Sequence, residues 1–144
     1  MWVFKTKRDT NGFIERLKAR IVARGDHERY GIDFTETFAP TPTPATVRLI
    51  LALAAFEDLH LHSVDISSAF TYGDLDEEIY MRQPEGFHEG GKNMVCRLNK
   101  SLYGLAQASR QWNKKMHAFM LSIGFKRIHS DLSVYSRLKN PYNV

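Results

Sequence analysis

The longest apolar stretch of the chain runs from Val47 to Phe56 and carries a single charge, Arg48. Its apolar residues follow a helical period and occupy nearly every side of the predicted helix. Thr43 is a typical N-cap residue, and Pro44 suits the first helical position. The stretch is shorter than the roughly 18 residues that a membrane span needs. The sequence therefore predicts a buried helix at the centre of a globular fold, and no membrane partner.

Composition agrees with a single soluble domain inside a cell. The chain has 144 residues, 43% of them hydrophobic and 25% charged, which is ordinary for one globular domain. Its one cysteine, Cys96, cannot form an internal disulfide, which fits a reducing compartment. The first residues lack the layout of a signal peptide. These features predict an intracellular protein.

Charge is distributed unevenly along the chain. Residues 1–30 contain eight Lys and Arg against four Asp and Glu, and residues 92–144 contain ten against one. Residues 31–91 contain two basic and eleven acidic side chains. Basic segments on both sides of an acidic one indicate a polyanionic partner and a place for cations. Ordinary solvated faces of a basic protein are the alternative.

The N-terminal segment has the pattern of a basic β-hairpin. Trp2 to Lys7 reads as a strand, and Asp9-Thr10-Asn11-Gly12 supplies turn residues. The return strand is predicted over Phe13 to Arg24. Even spacing places four cations on one of its faces, which suits phosphate binding; they are Arg16, Lys18, Arg20 and Arg24. A plain solvent-facing strand is the alternative.

A third strand is predicted from Leu59 to Ile66, with Asp65 near its end. A carboxylate at a strand end, followed by the small residues Ser67 and Ser68, can hold a hard cation beside a substrate. Capping of the following turn by Asp65 is the alternative. The acidic cluster from Asp74 to Glu78 lacks the spacing of a calcium loop and is predicted to be a solvated turn.

The remaining pattern completes an α+β fold. Ile79 to Met81 and Val95 to Leu98 read as short strands, and Ala106 to Ile123 as a helix with one apolar stripe. A last strand is predicted from Leu132 to Tyr135.

Motifs along nearly the whole chain, in the same order, resemble the copia-type LTR retrotransposon reverse transcriptase, the RNA-dependent DNA polymerase region of the Pol polyprotein. The segments that carry the resemblance are Trp2-Val3-Phe4-Lys5, Glu15 to Gly25, Gly31 to Pro40, Val47 to Ala54, Val64 to Phe70, Gly73 to Phe87, and Ser101-Leu102-Tyr103-Gly104-Leu105 with Gln107, Arg110, Gln111 and Trp112.

The resemblance implies a right-hand polymerase fold with fingers and an incomplete palm. Residues 1–44 would be the fingers-like basic hairpin and loop, and residues 45–144 a partial palm with further fingers elements. Asp65 would be the first catalytic carboxylate. It would hold two Mg²⁺ ions together with the backbone carbonyl of Ile66 and further carboxylates.

The resemblance also assigns binding residues and partners. Nucleotide-binding residues would be Lys18, Arg20, Phe70 (as the gate against a ribose 2′-hydroxyl) and Gln107. Template and primer contacts would be Tyr103, Gly104, Arg110 and Lys114. The implied partners are an RNA template, a DNA primer, deoxynucleoside triphosphates and the remainder of the Pol polyprotein.

One departure from the family bears on activity. The Tyr-x-Asp-Asp turn, which supplies the other two metal-binding carboxylates, does not occur in the 144 residues. We therefore expect a chain truncated before that motif, with weak or absent Mg²⁺ binding and no polymerase activity alone. A non-catalytic nucleic-acid-binding module, a relic of a degenerate element and a carboxylate-metal hydrolase are the alternatives.

Overall fold

A β-hairpin occupies the N-terminus of the chain in a computed structural model that describes residues 1–91 and 93–137. Strand β1 (Trp2–Arg8) pairs antiparallel with β2 (Ile14–Ile21). The Asp9 carboxylate accepts the backbone N–H groups of Asn11 and Phe13, each at 2.9 Å. The predicted hairpin is confirmed.

The register of the hairpin gathers cations on one face. Lys5 lies opposite Lys18, and Lys7 lies opposite Arg16. Directly opposed residues share a face of an antiparallel pair, as do residues two apart along a strand, so Arg20 joins this set. Residues Lys5, Lys7, Arg16, Lys18 and Arg20 are called the basic face below.

The prediction that Arg24 belongs to this face is wrong. Strand β2 ends at Ile21. Four residues later the chain enters a short 3₁₀ helix, Gly25–His27, and the Arg24 guanidinium pairs with Asp26 at 2.6 Å. An ion pair within the turn fixes Arg24 outside the strand.

Helix α1 (Pro44–Phe56) begins as predicted. The Thr43 hydroxyl accepts the backbone N–H of Thr46 at 3.1 Å, and Pro44 starts the helix. The predicted burial of α1 is wrong, since Ala54 is its one buried residue and the side chains of Leu49 and Phe56 are 69% and 84% exposed. Apolar residues surround this helix. One side of it faces the later helix α2 (Ala108–Ser122) across an open groove, and even there Val47, Ile50 and Leu51 are 42%, 42% and 48% exposed.

The strand predicted from Leu59 to Ile66 is also wrong. The segment adopts no strand pairing, and its side chains are exposed. Alternation shows that a segment suits a sheet, but a strand also needs a neighbour for its backbone hydrogen bonds. Among residues 1–91 and 93–137, none of the three sheets includes this segment.

The second half of the chain follows the prediction more closely. Strands β3 (Tyr80–Arg82) and β4 (Val95–Arg97) form an antiparallel pair, and α2 spans Ala108–Ser122. Strand β5 (Lys126–Arg127) pairs with β6 (Tyr135–Ser136). The last strand was predicted from Leu132, but residues 132–134 form a turn, so only its final residue is correct. Residues 138–144 of the predicted palm segment lie outside the described part.

The core lies where the hairpin base, β3 and the start of α2 meet. Ala23, Ile79, Leu105 and Ala108 form its buried cluster. Half-buried apolar side chains pack around this cluster; they are Phe70, Leu75, Met81, Leu98 and Leu102. In the described part of the chain, two α-helices, two short 3₁₀ helices (Gly25–His27 and Ala69–Tyr72) and six strands make a mixed α and β fold. Within the described residues, no helix is both long and apolar enough to cross a membrane.

Candidate nucleotide and nucleic-acid interface

Three of the predicted site residues come together from separate parts of the chain. The Arg20 guanidinium carbon, on β2, lies 5.9 Å from the ring centroid of Tyr103. The rings of Tyr103 and Phe70 have centroids 4.8 Å apart, with planes inclined by 55°. We call Arg20, Tyr103 and Phe70 the stack. A guanidinium beside aromatic rings can bind phosphate and offer a surface to a base or sugar.

The basic face continues from Arg20 along the hairpin. The Lys7 charge lowers the pKa of the Lys18 ammonium, and partial desolvation with the charges of Arg16, Arg20 and Lys5 acts in the same direction. Across residues 1–91 and 93–137, no side chain of the basic face forms a salt bridge. Crowded cations without acidic partners are a surface that a polyanion would stabilise.

Gly104 fits directly against the base of the hairpin. Its φ is +92°, and a Cβ there would collide with the backbone oxygen of Ala23 and the side chain of Val22. The Ala23 N–H donates to the Tyr103 carbonyl at 2.8 Å. Gly104 therefore lets the loop approach the hairpin closely enough to hold Tyr103 beside Arg20.

Gln107 lies under this loop and is enclosed. Its side chain is 1% exposed, and its amide nitrogen donates to the Asp33 carbonyl at 3.1 Å. In this position Gln107 joins two backbone segments and offers no open surface to a nucleotide. Its contact with a nucleotide stays a prediction.

The predicted template cations of α2 have acidic partners within the chain. Arg110 pairs with Glu36 at 2.6 Å, and Lys114 pairs with Asp76. Lys100 and Lys115 both pair with Asp74. Much of the basic C-terminal charge is thus neutralised, and template contacts by Arg110 and Lys114 stay predictions.

The acidic turn from Asp74 to Glu78 is tied to these cations. The bond from Lys100, followed by that from Lys115, lowers the pKa of the Asp74 carboxyl. The Gln111 amide, followed by Lys114, lowers the pKa of Asp76. Asp74, Asp76 and Glu78 are exposed, as the predicted solvated turn requires. The ion pairs of Asp76 with Lys114 and of Asp74 with Lys115 also connect this turn to α2.

Asp65 and Ile66 lie on the exposed segment after α1, outside any strand. Within the described residues, no group of three or more His, Cys, Asp or Glu side chains is placed to hold a metal ion. Two divalent cations need several converging carboxylates to offset their mutual repulsion. The described residues around Asp65 therefore do not by themselves fit a two-ion centre.

Glu28 belongs to this region but was missed in the sequence. Its carboxylate accepts the backbone N–H of Ala106 at 2.7 Å, and burial raises the pKa of the carboxyl above its usual range. Ala106 is 78 residues away along the chain. No local pattern links positions so far apart, so only the fold could reveal this contact.

Comparisons with known proteins agree with the motifs. The family described as reverse transcriptase (RNA-dependent DNA polymerase) matches residues 1–143. No solved structure gives a significant match.

Three curated relatives come from plants and yeast. The chain is 51% identical over 135 residues to the retrovirus-related Pol polyprotein from transposon TNT 1-94 of Nicotiana tabacum, covering 93% of the chain and 10% of that protein. It is 38% identical to the retrovirus-related Pol polyprotein from transposon RE1 of Arabidopsis thaliana, and the match covers 93% of the chain and 9% of that protein. It is 36% identical to the Transposon Ty1-ER2 Gag-Pol polyprotein of Saccharomyces cerevisiae, and the match covers 84% of the chain and 6% of that protein.

The chain thus spans a tenth or less of the length of these polyproteins. The family match extends over almost all of its residues, and the ordered motifs of the hairpin, the Asp65 segment and the Tyr103 loop lie within it. The chain therefore belongs to the reverse transcriptase (RNA-dependent DNA polymerase) family, as a fragment of the copia-type enzyme carried by retrotransposon Pol polyproteins.

Proposed function

We propose that this chain forms the nucleotide-binding and template-binding front of an RNA-directed DNA polymerase. In this proposal residues 1–44 are fingers, and residues 45–144 are part of the palm, with further fingers elements, in a right-hand fold. The supporting observation is the stack of Arg20, Tyr103 and Phe70 next to a basic face that forms no salt bridge with any described residue. Family membership supplies the reaction, which is transfer of a nucleotide to a primer end.

Each residue of the proposed site has a chemical role. Lys18 and Arg20 neutralise the triphosphate of an incoming deoxynucleotide, since charge-assisted bonds to phosphate are strong. Phe70 excludes a ribose 2′-hydroxyl by the bulk of its ring. Tyr103 and Gly104 support the template side, and the RNA template and DNA primer lie along the basic face.

Magnesium belongs to the proposed reaction of the parent polyprotein. Asp65 and the carbonyl of Ile66 would be part of its site there. The described residues supply no converging carboxylates, so we expect no primer extension by the 144-residue chain alone. Extension by this chain in Mg²⁺, lost on Asp65→Asn substitution, would contradict that expectation.

Hybrid binding tests the proposal. Anisotropy of a labelled RNA–DNA hybrid should show binding by the whole chain that weakens steeply with salt. Arg20→Ala should weaken it about fivefold and reduce the salt slope by about 1. Arg97→Ala is the control, because Arg97 is paired with Glu78 at 2.6 Å. Unchanged binding by Arg20→Ala would contradict the proposal.

A non-catalytic nucleic-acid-binding module is the second candidate, favoured by the basic face of the hairpin. The polymerase proposal and the simple binding module predict different responses to a nucleotide. A complementary deoxynucleoside triphosphate should slow hybrid dissociation if the stack binds nucleotides, and should leave it unchanged in a simple module. A misfolded relic would give no reproducible binding.

A further inference from the structure

The Glu28 carboxylate lies between the hairpin and the start of α2. It follows the 3₁₀ helix Gly25–His27 and accepts the Ala106 N–H at 2.7 Å. Ala106 precedes α2, whose N-cap residue, Gln107, makes no side-chain cap bond. The Ala106 N–H lies one residue before that N-cap, in the loop that leads into the helix. Glu28, 78 residues away along the chain, supplies its acceptor.

Two further bonds join the same segments. The Ala23 N–H donates to the Tyr103 carbonyl at 2.8 Å, and the Gln107 amide donates to the Asp33 carbonyl at 3.1 Å. Residues 23–33 are therefore connected to residues 103–107 at three points. We call this contact the junction. Of the three acceptors in the junction, the Glu28 oxygen belongs to a carboxylate and the other two are backbone carbonyls.

The junction determines where Tyr103 lies relative to the hairpin. Arg20 is three residues before Ala23 on the hairpin side, and Tyr103 is three residues before Ala106 on the loop side. Any shift between the two segments would change the 5.9 Å approach of Arg20 to the Tyr103 ring. It would also change the 4.8 Å contact of Tyr103 with Phe70.

We propose that Glu28 is a positioning residue that holds the Tyr103 loop in register with the basic hairpin and so assembles the stack. The proposal rests on the proposed function, since it concerns the same site. Burial raises the pKa of the Glu28 carboxyl, and its second oxygen is buried without a hydrogen-bond partner. The junction therefore uses one acceptor oxygen of Glu28, the one that accepts the Ala106 N–H.

Substitutions at Glu28 separate positioning from charge. Removing a negative charge near the hairpin should tighten binding of a polyanion. Positioning predicts the opposite for Glu28→Ala, namely about fivefold weaker hybrid binding, whereas Glu28→Gln keeps an acceptor oxygen and should bind at least as well as the wild type. Asp26→Asn, in the same turn, is the control for loss of charge and should bind slightly more tightly.

A second measurement does not depend on nucleic acid. Ring-to-ring NMR contacts between Phe70 and Tyr103, and amide exchange at Ala106, report on the junction directly. In Glu28→Ala the contacts between the Phe70 and Tyr103 rings should disappear, and the Ala106 amide hydrogen should exchange about tenfold faster. In Glu28→Gln the ring contacts and the slow exchange should both remain. If Glu28→Ala does not fold, Glu28→Asp takes its place, since its shorter side chain cannot reach Ala106.

The outcomes distinguish the two proposals. Absence of hybrid binding by the wild type, with ring contacts still dependent on Glu28, would refute the proposed function and support positioning. Ring contacts and exchange unchanged in Glu28→Ala would overturn positioning, whatever the binding result. Glu28→Ala binding as tightly as Asp26→Asn would also overturn it.

Discussion

Gly25 and Gly104 meet backbone to backbone, so that a Cβ on Gly25 would collide with the carbonyl oxygen of Gly104. This contact lies inside the junction and brings the hairpin base against the Tyr103 loop. No side chain larger than hydrogen fits on either side. The placement of the stack therefore depends on two glycines as well as on Glu28.

Gly104→Ala should destabilise the fold strongly. The residue has φ +92°, and its Cβ would meet the Ala23 oxygen. We expect the free energy of unfolding in urea to fall by about 3 kcal/mol from strain and collision together. Gly12→Ala is the control, since Gly12 has φ +86° but open space around it, and should cost about 1 kcal/mol. Equal losses would show that the close contact contributes nothing.

Lys18→Gln should raise the thermal midpoint at low salt. Repulsion from Lys7, the largest cause, lowers the Lys18 pKa, so the charged form opposes folding. The folded chain holds this proton less tightly than the unfolded one, so wild-type stability should rise towards that of Lys18→Gln as the pH rises through the lowered pKa.

Added salt should shrink the difference from Lys18→Gln, because these charges are exposed and are screened. Lys115→Gln is the control. Lys115 pairs with Asp74 at 3.2 Å, so its loss should not raise the midpoint. An equal rise in both variants would argue against repulsion on the basic face.

Glu28→Gln should become more stable than the wild type as the pH rises. Burial is the main cause of the raised Glu28 pKa. The carboxylates of Asp33 and Glu77 add to it, and the Ala106 N–H and Gln107 amide oppose it. The folded state therefore binds this proton more tightly than the unfolded state.

The favourable contribution of the Glu28 proton is complete below the ordinary glutamate value of 4.5. It is lost as the pH rises through the raised pKa. Urea unfolding at pH 4 and pH 7 should show a gap between variant and wild type that is small at pH 4 and larger at pH 7. A gap that narrows with rising pH would contradict the assignment.

Thr43→Ala should destabilise α1 by about 1 kcal/mol. The Thr43 hydroxyl accepts the Thr46 N–H at 3.1 Å and lies 2.9 Å from the Thr46 hydroxyl. Helix content by circular dichroism and urea unfolding would measure the change. Thr41→Ala, two residues earlier in the same Pro-Thr repeat, should have little effect; a matching loss there would exclude capping as the cause.

Local sequence chemistry predicted where elements begin and turn. Thr43 and Pro44 located the start of α1, and Asn11 and Gly12 located the hairpin turn, because these residues act within four positions of themselves. The apolar surface of α1 predicted burial and the alternation from Leu59 to Ile66 predicted a strand, and both predictions were wrong. Whether a partner is present depends on the rest of the fold, which periodicity does not report.

In the candidate site, too, the residues within recognisable motifs were predicted, and the contacts between distant positions were not. Arg20, Phe70 and Tyr103 were found through motifs that resemble the family, and the structure brings them together. The neutralisation of Lys114 by Asp76 joins positions 38 residues apart, and no local pattern encodes it. The sequence did not indicate a role for Glu28 either, because its bond partner Ala106 is 78 residues away.

The distance in sequence between Glu28 and Ala106 has a consequence for how the chain folds. The hairpin closes across a few residues, whereas the bond from Ala106 to Glu28 closes a loop of 78 residues, which costs more chain entropy and is slower. Pulse-labelling hydrogen exchange during refolding should show early protection of the backbone amides in β1, β2 and α2. The Ala106 amide should become protected last. The stack would then be completed only in the final step of folding.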